Sequence, residues 1–206
     1  MLHIWGRLNS LNVRKVVWAA QEVGVPFQRT DAGMAFGLVG TPHYLNMNPN
    51  GLVPTLQDGT LVLWESNVIV RYLCARYGTE AQYPQDLEQR FDAERWMDWQ
   101  QTTLTPAGVL AFRHWIRTPE AQRDHAAIAQ SVAAMAPLLA QLDSHLAERA
   151  YMGGDHFTMA DIPIACDIHR WFGLPQQQSP LPHLERWYAD ISARPAAQSV
   201  LVLPLT

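Results

Sequence analysis

Hydrophobic and polar positions follow two different rhythms along this chain, and the change falls near residue 80. Leu2 to Trp5 is a short, partly apolar strand candidate, followed by the polar run Gly6-Arg7-Leu8-Asn9-Ser10. Val13, Val16, Val17, Ala20 and Val23 then recur three and four residues apart, which predicts an amphipathic helix ending near Gly24. Val25 to Arg29 restarts as a strand. Residues 31–48 show no period and contain Gly33, Gly37, Gly40 and Pro42, so a long loop with at most a short helix is expected. Two strands, Val53 to Gln57 and Leu61 to Leu63, flank the hairpin signal Asp58-Gly59. A helix from about Glu65 to Tyr77 follows, with Ile69, Tyr72, Leu73 and Arg76 at helical spacing.

The order β-α-β, long connection, β-β-α is the layout of a thioredoxin-like α/β domain, here residues 1–79. The polar stretch from Gly78 to Asp86 contains Pro84 and reads as a linker. Strand signals disappear beyond it. Leu87 to Trp115 and Pro119 to Arg149 are long helical segments that Pro106 and Pro137 are expected to kink or break, and shorter helices are expected near Met159 to Trp171 and Leu181 to Ser192. Residues 87–206 therefore read as an all-α domain.

Composition narrows the function classes. Hydrophobic residues make up 48% and charged residues 17%, which suits a globular core, and a net charge of −4 without any dense Lys/Arg run argues against nucleic acid and acidic membranes as partners. The most apolar long segment, Ala126 to Leu146, is interrupted by polar residues and reads as an amphipathic helix, so no membrane association is expected. The N-terminus turns polar too soon for a signal peptide, and a cytoplasmic location is expected. Cys74 and Cys166 have no CxxC or metal-ligand spacing and are expected to stay reduced and packed; the eight histidines show no ligand pattern either, so no metal site is expected.

Two segments carry chemistry. In Asn48-Pro49-Asn50-Gly51-Leu52-Val53-Pro54-Thr55-Leu56 a proline opens a strand. A cis Val53-Pro54 bond would turn the Val53 backbone outward to pair with a bound peptide; a trans proline opening an edge strand is the plainer alternative. In Leu63-Trp64-Glu65-Ser66-Asn67 a hairpin feeds a helix N-terminus, which favours a ligand carboxylate, with Ser66 as an added donor and Glu65 as partner for an ammonium. Ordinary helix capping would use the same residues.

Taken together, these segments resemble the cytosolic glutathione transferase family, whose Val-Pro meets the cysteinyl backbone of glutathione and whose Glu-Ser meets its γ-glutamyl head. The resemblance carries Val53, Pro54, Glu65 and Ser66 over as the glutathione site. Trp5-Gly6-Arg7-Leu8-Asn9-Ser10-Leu11-Asn12-Val13 is similar to the catalytic turn of serine-type bacterial and theta-like members. It implies that Ser10 donates a hydrogen bond to the glutathione sulfur and favours the thiolate; Asn12, as in nu-like members, is the rival donor, and Ser10 as a plain helix cap is the structural alternative. No cysteine occupies this turn, so any thiol must be imported. A cation near Gly51-Leu52 for the glycyl carboxylate is missing; Asn50, Arg7 and His43 are the candidates.

In the helical half, Arg90 to Gln100 resembles the family's first long helix, which lines the substrate pocket and the dimer interface. Asp98 matches a position that reaches the γ-glutamyl ammonium of a neighbouring subunit, and Trp99 is a candidate wall of the electrophile pocket. Arg7 and Arg113 are candidates to meet an anionic substrate. Thr158 and Asp161 fit a capping box and are expected to be structural. The resemblance implies a homodimeric transferase acting on a small electrophile, closest to a bacterial subgroup with a glutathione-dependent dehalogenase of small haloacids. A glutathione-dependent disulfide reductase and a non-catalytic binding module are the alternatives.

Overall fold

The computed structural model describes residues 1–177 and 179–206. Its four-stranded sheet has the order β2-β1-β3-β4, built from β1 (Leu2–Trp5), β2 (Phe27–Thr30), β3 (Thr55–Asp58) and β4 (Leu61–Trp64). β1 pairs parallel with β2 across the crossover helix α1 (Leu11–Glu22), and antiparallel with β3, which closes the hairpin with β4. Helix α3 (Ser66–Tyr77) packs beside α1 on the sheet. A 3-10 turn (Met34–Phe36) and the short helix α2 (Pro42–Met47) occupy the aperiodic stretch. The sheet starts later than its apolar pattern suggests: β3 begins at Thr55, and Val53 and Pro54 lie outside the ladder.

The rest is helical. α4 (Leu87–Trp99), a π-helical turn (Gln100–Leu104), α5 (Thr105–Phe112) and a second π-helical turn (Arg113–Arg117) form one uninterrupted run. Pro106 does not break it, because Pro106 lies in the first turn of α5, where the wider turn before it absorbs the missing N–H and the ring's clash with the preceding carbonyls. α6 (His125–Leu146) likewise continues through Pro137. Its buried row Ile128, Met135, Leu139, Leu142 and Leu146 outweighs a proline cost of about 3 kcal/mol. α6 is also long and apolar enough by composition to cross a bilayer, yet that row faces the protein core. α7 (Asp161–Phe172), α8 (Pro182–Ser192) and α9 (Pro195–Leu201) follow; α9 was not expected and packs on α1.

The two halves share one apolar core, and a buried polar seam runs between them. Lys15 of α1 is 1% exposed; its Nζ donates to Asn67 Oδ1 (3.4 Å) and Gln100 Oε1 (3.1 Å). Gln100 donates in turn to Asp167 of α7, and Thr105 Oγ1 donates to the same carboxylate. Burial pulls the Lys15 pKa down to about 8, against the opposing pull of Asp167. The unfolded chain therefore holds this proton more tightly between about pH 8 and 10.5, so stability contributed here rises with pH across that window. Lys15→Met is expected to abolish that rise, seen as urea midpoints that no longer climb relative to the parent protein. Parallel pH dependence in the two proteins would refute it.

Candidate functional site

The site is assembled where the N-termini of α1 and α3 meet the loop before β3. The turn from Gly6 to Ser10 is pinned on three sides. Gly6 N–H donates to Thr30 O (2.9 Å), Arg7 N–H to Ala32 O (3.2 Å), and Arg29 Nη1 donates to Gly6 O (2.7 Å). Arg14, 4% exposed, donates to Leu8 O (3.1 Å) and Pro204 O (2.7 Å) and so ties the turn to the C-terminal segment. Gly6 has φ 152°, and a Cβ there would meet Val13 Cγ2 at 2.4 Å and Val53 Cβ at 3.3 Å. Only glycine lets this turn pack so closely against Val13 and the Val53 loop.

Ser10 stands at the N-cap of α1, but its side chain makes no capping hydrogen bond. Its hydroxyl is thus not spent on capping the helix. Asn12 lies two residues further on, exposed in the first turn of α1, and its Oδ1 accepts from Ser66 Oγ (3.3 Å). That contact fixes the amide with its NH2 group left to donate.

The Val53-Pro54 peptide is cis. Its loop is held by residues that sequence reasoning left unassigned: Tyr44 of α2 donates to Leu52 O (2.7 Å) and pairs with Thr55 Oγ1 (2.9 Å). Asn48 Nδ2 donates to Leu52 O (2.9 Å) and Thr55 Oγ1 (3.1 Å), and its Oδ1 accepts from the backbone and side chain of Asn50 (3.1 Å each). The Asn in the N-P-N-G motif was the visible signal for this bracket; the tyrosine had none.

Glu65 precedes α3 with φ 70°, a left-handed conformation that costs energy for a residue with a side chain and marks a position held by its surroundings. Its carboxylate accepts from Gln101 Nε2 (3.0 Å) of the first π-helical turn. Ser66 is 5% exposed at the first turn of α3. Asn12, Asn48, Asn50, Leu52, Val53, Pro54, Trp64, Glu65 and Ser66 line one pocket. The donors and acceptors of that pocket fit the backbone, carboxylate and ammonium of a γ-glutamyl peptide. The end formed by Asn48 and Asn50 offers amides only.

A second cavity of about 200 Å³ adjoins it, with Asn12 lining both. Its other walls are Arg7, Ser10, Leu11, Thr105, Val109, Phe112, Arg113, Arg117 and Arg170. Four arginines from three parts of the chain thus converge beside Ser10. Arg7 Nε is buried without a partner, and burial lowers the Arg7 pKa. The Arg117 pKa is lowered by burial first and then by Arg7, Arg170 and Arg113. Arg113 and Arg117 lie four residues apart on one helical turn, a spacing visible in sequence, whereas Arg170 arrives from α7 and could not have been foreseen.

Three candidate residues lie elsewhere. Trp99 packs edge-to-face on Trp96 (5.3 Å) and lines a separate groove with Arg95 and Gln141, away from Ser10. Asp98 is 70% exposed and pairs with Arg71 of α3 (2.6 Å) within the same chain. His43 is exposed on α2, outside both cavities. Cys74 and Cys166 are free and buried, and burial pushes both thiols up to about 12, so neither is a thiolate at neutral pH.

Comparison with known proteins agrees with this geometry. Residues 9–76 match the family model described as the glutathione S-transferase N-terminal domain, and residues 126–190 the one described as its C-terminal domain. The chain is 41% identical to glutathione S-transferase GstB of Escherichia coli over all of both sequences, and 31% identical to glutathione S-transferase 3 of Zea mays over 99% of this chain and 95% of the relative. Among solved structures, the theta class glutathione S-transferase of Xanthomonas axonopodis pv. citri with glutathione bound superposes with a TM-score of 0.96 at 49% identity, covering 100% of this chain and 99% of that one. Fold, motif placement and full-length similarity agree: the chain belongs to the glutathione S-transferase family, enzymes that take glutathione as cosubstrate.

Proposed function

We propose that this transferase activates glutathione at Ser10 and Asn12 for attack on a small, anionic electrophile, with α-halo acids as the fitting class. The carrying observation is the junction of the two cavities: Ser10 and Asn12 face a chamber walled by Arg7, Arg113, Arg117 and Arg170. Val53 and Pro54 would hold the cysteinyl backbone, Ser66 and the α3 N-terminus the γ-glutamyl carboxylate, and Glu65 its ammonium. Ser10 donates to the sulfur and favours the thiolate. A carbon–sulfur bond forms as the carbon–halogen bond breaks, and halide leaves with the electron pair. A guanidinium on the substrate carboxylate orients the α-carbon and offsets the repulsion between two anions.

The proposed assembly is a cytoplasmic homodimer. Supporting it, Trp64, Val68 and Phe91 are 40%, 43% and 62% exposed on β4, α3 and α4, a density of large apolar groups that a second copy would cover. Asp98 and Arg71 also lie on α4 and α3.

The deciding assay follows bromide release from bromoacetate with glutathione, beside reduction of hydroxyethyl disulfide. Glutathione-dependent bromide release well above the uncatalysed rate is expected. Turnover of the disulfide alone would replace the proposal with the reductase, for which the fixed Asn12 amide is the favouring observation.

A further inference from the structure

Between Arg29 and Arg71 the sequence contains no lysine or arginine, and this run supplies every residue lining the glutathione pocket except Asn12. The two flanking arginines are engaged elsewhere. Arg29 donates to Gly6 O (2.7 Å) and pairs with Asp31, and Arg71 pairs with Asp98 (2.6 Å) and Glu94 (3.5 Å). Arg7 lines the electrophile cavity, and His43 is exposed outside both. Among the described residues of the pocket wall, Glu65 is the one charged side chain.

Glutathione carries a carboxylate at each end, and the pocket meets its two ends differently. Ser66, Glu65 and the α3 N-terminus suit the charged γ-glutamyl head. With the cysteinyl backbone on Val53, the third residue lies about 3.3 Å further along an extended chain, beside the wall that remains: Asn48, Asn50 and Leu52. Asn48 is 2% exposed and its carboxamide is spent. It donates to Leu52 O (2.9 Å) and Thr55 Oγ1 (3.1 Å) and accepts twice from Asn50 (3.1 Å each). Asn50 is exposed and gives one Nδ2 hydrogen to Asn48, which leaves it one N–H donor and its Oδ1 acceptor. Leu52 is apolar and 66% exposed. One donor beside one acceptor matches a neutral carboxamide, which offers one of each. A carboxylate can only accept; it would meet no cation here and would face the Asn50 oxygen. From this we infer that the thiol cosubstrate needs no free glycyl carboxylate. The accepted class is γ-glutamylcysteinyl thiols whose glycyl carbonyl is free or amide-linked, and the exposed rim at Asn50 and Leu52 leaves room for the substituent.

The inference rests on the assignment of Val53, Pro54, Glu65 and Ser66 to glutathione made above. Glutathione, its C-terminal amide and cysteinylglycine, which lacks the γ-glutamyl head, are titrated by calorimetry into the full-length protein. Glutathione and its amide are expected to bind within fivefold of each other, and cysteinylglycine at least thirtyfold more weakly. Leu52→Lys places a cation on this rim at an exposed side chain, and should make glutathione bind at least fivefold more tightly than the amide. An amide weaker by more than fivefold in the parent protein would overturn the inference; disappearance of that loss in Arg7→Gln would hand the carboxylate to Arg7. Leu52→Lys without effect on either ligand would also overturn it, because the third residue would then lie elsewhere. Cysteinylglycine binding as tightly as glutathione would remove the underlying site assignment instead. Matched affinities for glutathione and its amide, with no bromide released from bromoacetate, would keep the thiol specificity and lose the haloacid.

Discussion

Ser10→Ala is expected to lower kcat/KM roughly tenfold to a hundredfold at neutral pH while leaving the protein folded. A hydrogen bond to a charged acceptor contributes about 1.5–3 kcal/mol, and its loss falls on the thiolate alone, since a thiol accepts weakly. At about 1.4 kcal/mol per unit, the thiol pKa of bound glutathione should rise by roughly one to two units, which the thiolate's ultraviolet absorbance reports directly. The fold should tolerate the change because the Ser10 side chain makes no cap; only its carbonyl, which accepts from Val13 N–H (3.0 Å) and Arg14 N–H (2.9 Å), belongs to the helix. Asn12→Ala should behave differently. It removes the acceptor of Ser66 Oγ as well as an amide donor, so the glutathione KM should rise more than the thiol pKa. If Asn12→Ala shifts the thiol pKa further than Ser10→Ala does, the roles are reversed and Asn12 is the activating donor.

The second large effect concerns stability. Asp161→Ala is expected to cost about 3–5 kcal/mol, a large fraction of the stability of a typical domain, without altering the kinetics of whatever protein remains folded. Asp161 is fully buried, and its carboxylate accepts from Met152 N–H (2.9 Å), Thr158 N–H (2.8 Å), Thr158 Oγ1 (3.3 Å) and Trp187 Nε1 (2.9 Å). Alanine would strand three buried N–H donors at once. Burial pushes the Asp161 carboxyl up to about 6 while those donors pull it down, so it is ionised at neutral pH. Asp161→Asn keeps the shape but aims an NH2 group where acceptors are needed, and should cost nearly as much. Urea unfolding of the three proteins checks both; a loss below 1 kcal/mol for Asp161→Ala would contradict this account.

Asp161 also shows how far local pattern reached. Thr158 and Asp161 were legible as a capping box, and the carboxylate does accept from Thr158 N–H. The Thr158 hydroxyl, however, accepts from Ala160 N–H (3.3 Å), and Met152 and Trp187, far apart in sequence, supply the other donors. The local box was readable because its partners lie only three positions apart. Its role as a hub joining α7, α8 and the Met152 turn was not, because no period or spacing connects those positions.

The same division runs through the whole protein. Sequence by itself determined the β-α-β, β-β-α order of the first half and the change to all-helical structure, and it picked out Ser10, Asn12, Val53, Pro54, Glu65 and Ser66 as candidates, because each depends on neighbours within a few positions. The helical runs continue through Pro106 and Pro137, where packing of a long helix outweighs a local cost, and α9, whose short sequence carries too little pattern to stand out, was missed. Only the tertiary structure decided which cations line the cavity beside Ser10. Arg7 comes from the first turn, Arg113 and Arg117 from a π-helical turn, and Arg170 from α7, and their meeting around Phe112 depends on helix angles that no local pattern encodes. It likewise placed Trp99, the last residue of α4, in another groove beside Trp96 and Gln141. Backbone chemistry is written locally, whereas the charge of a cavity is a sum over distant parts of the chain.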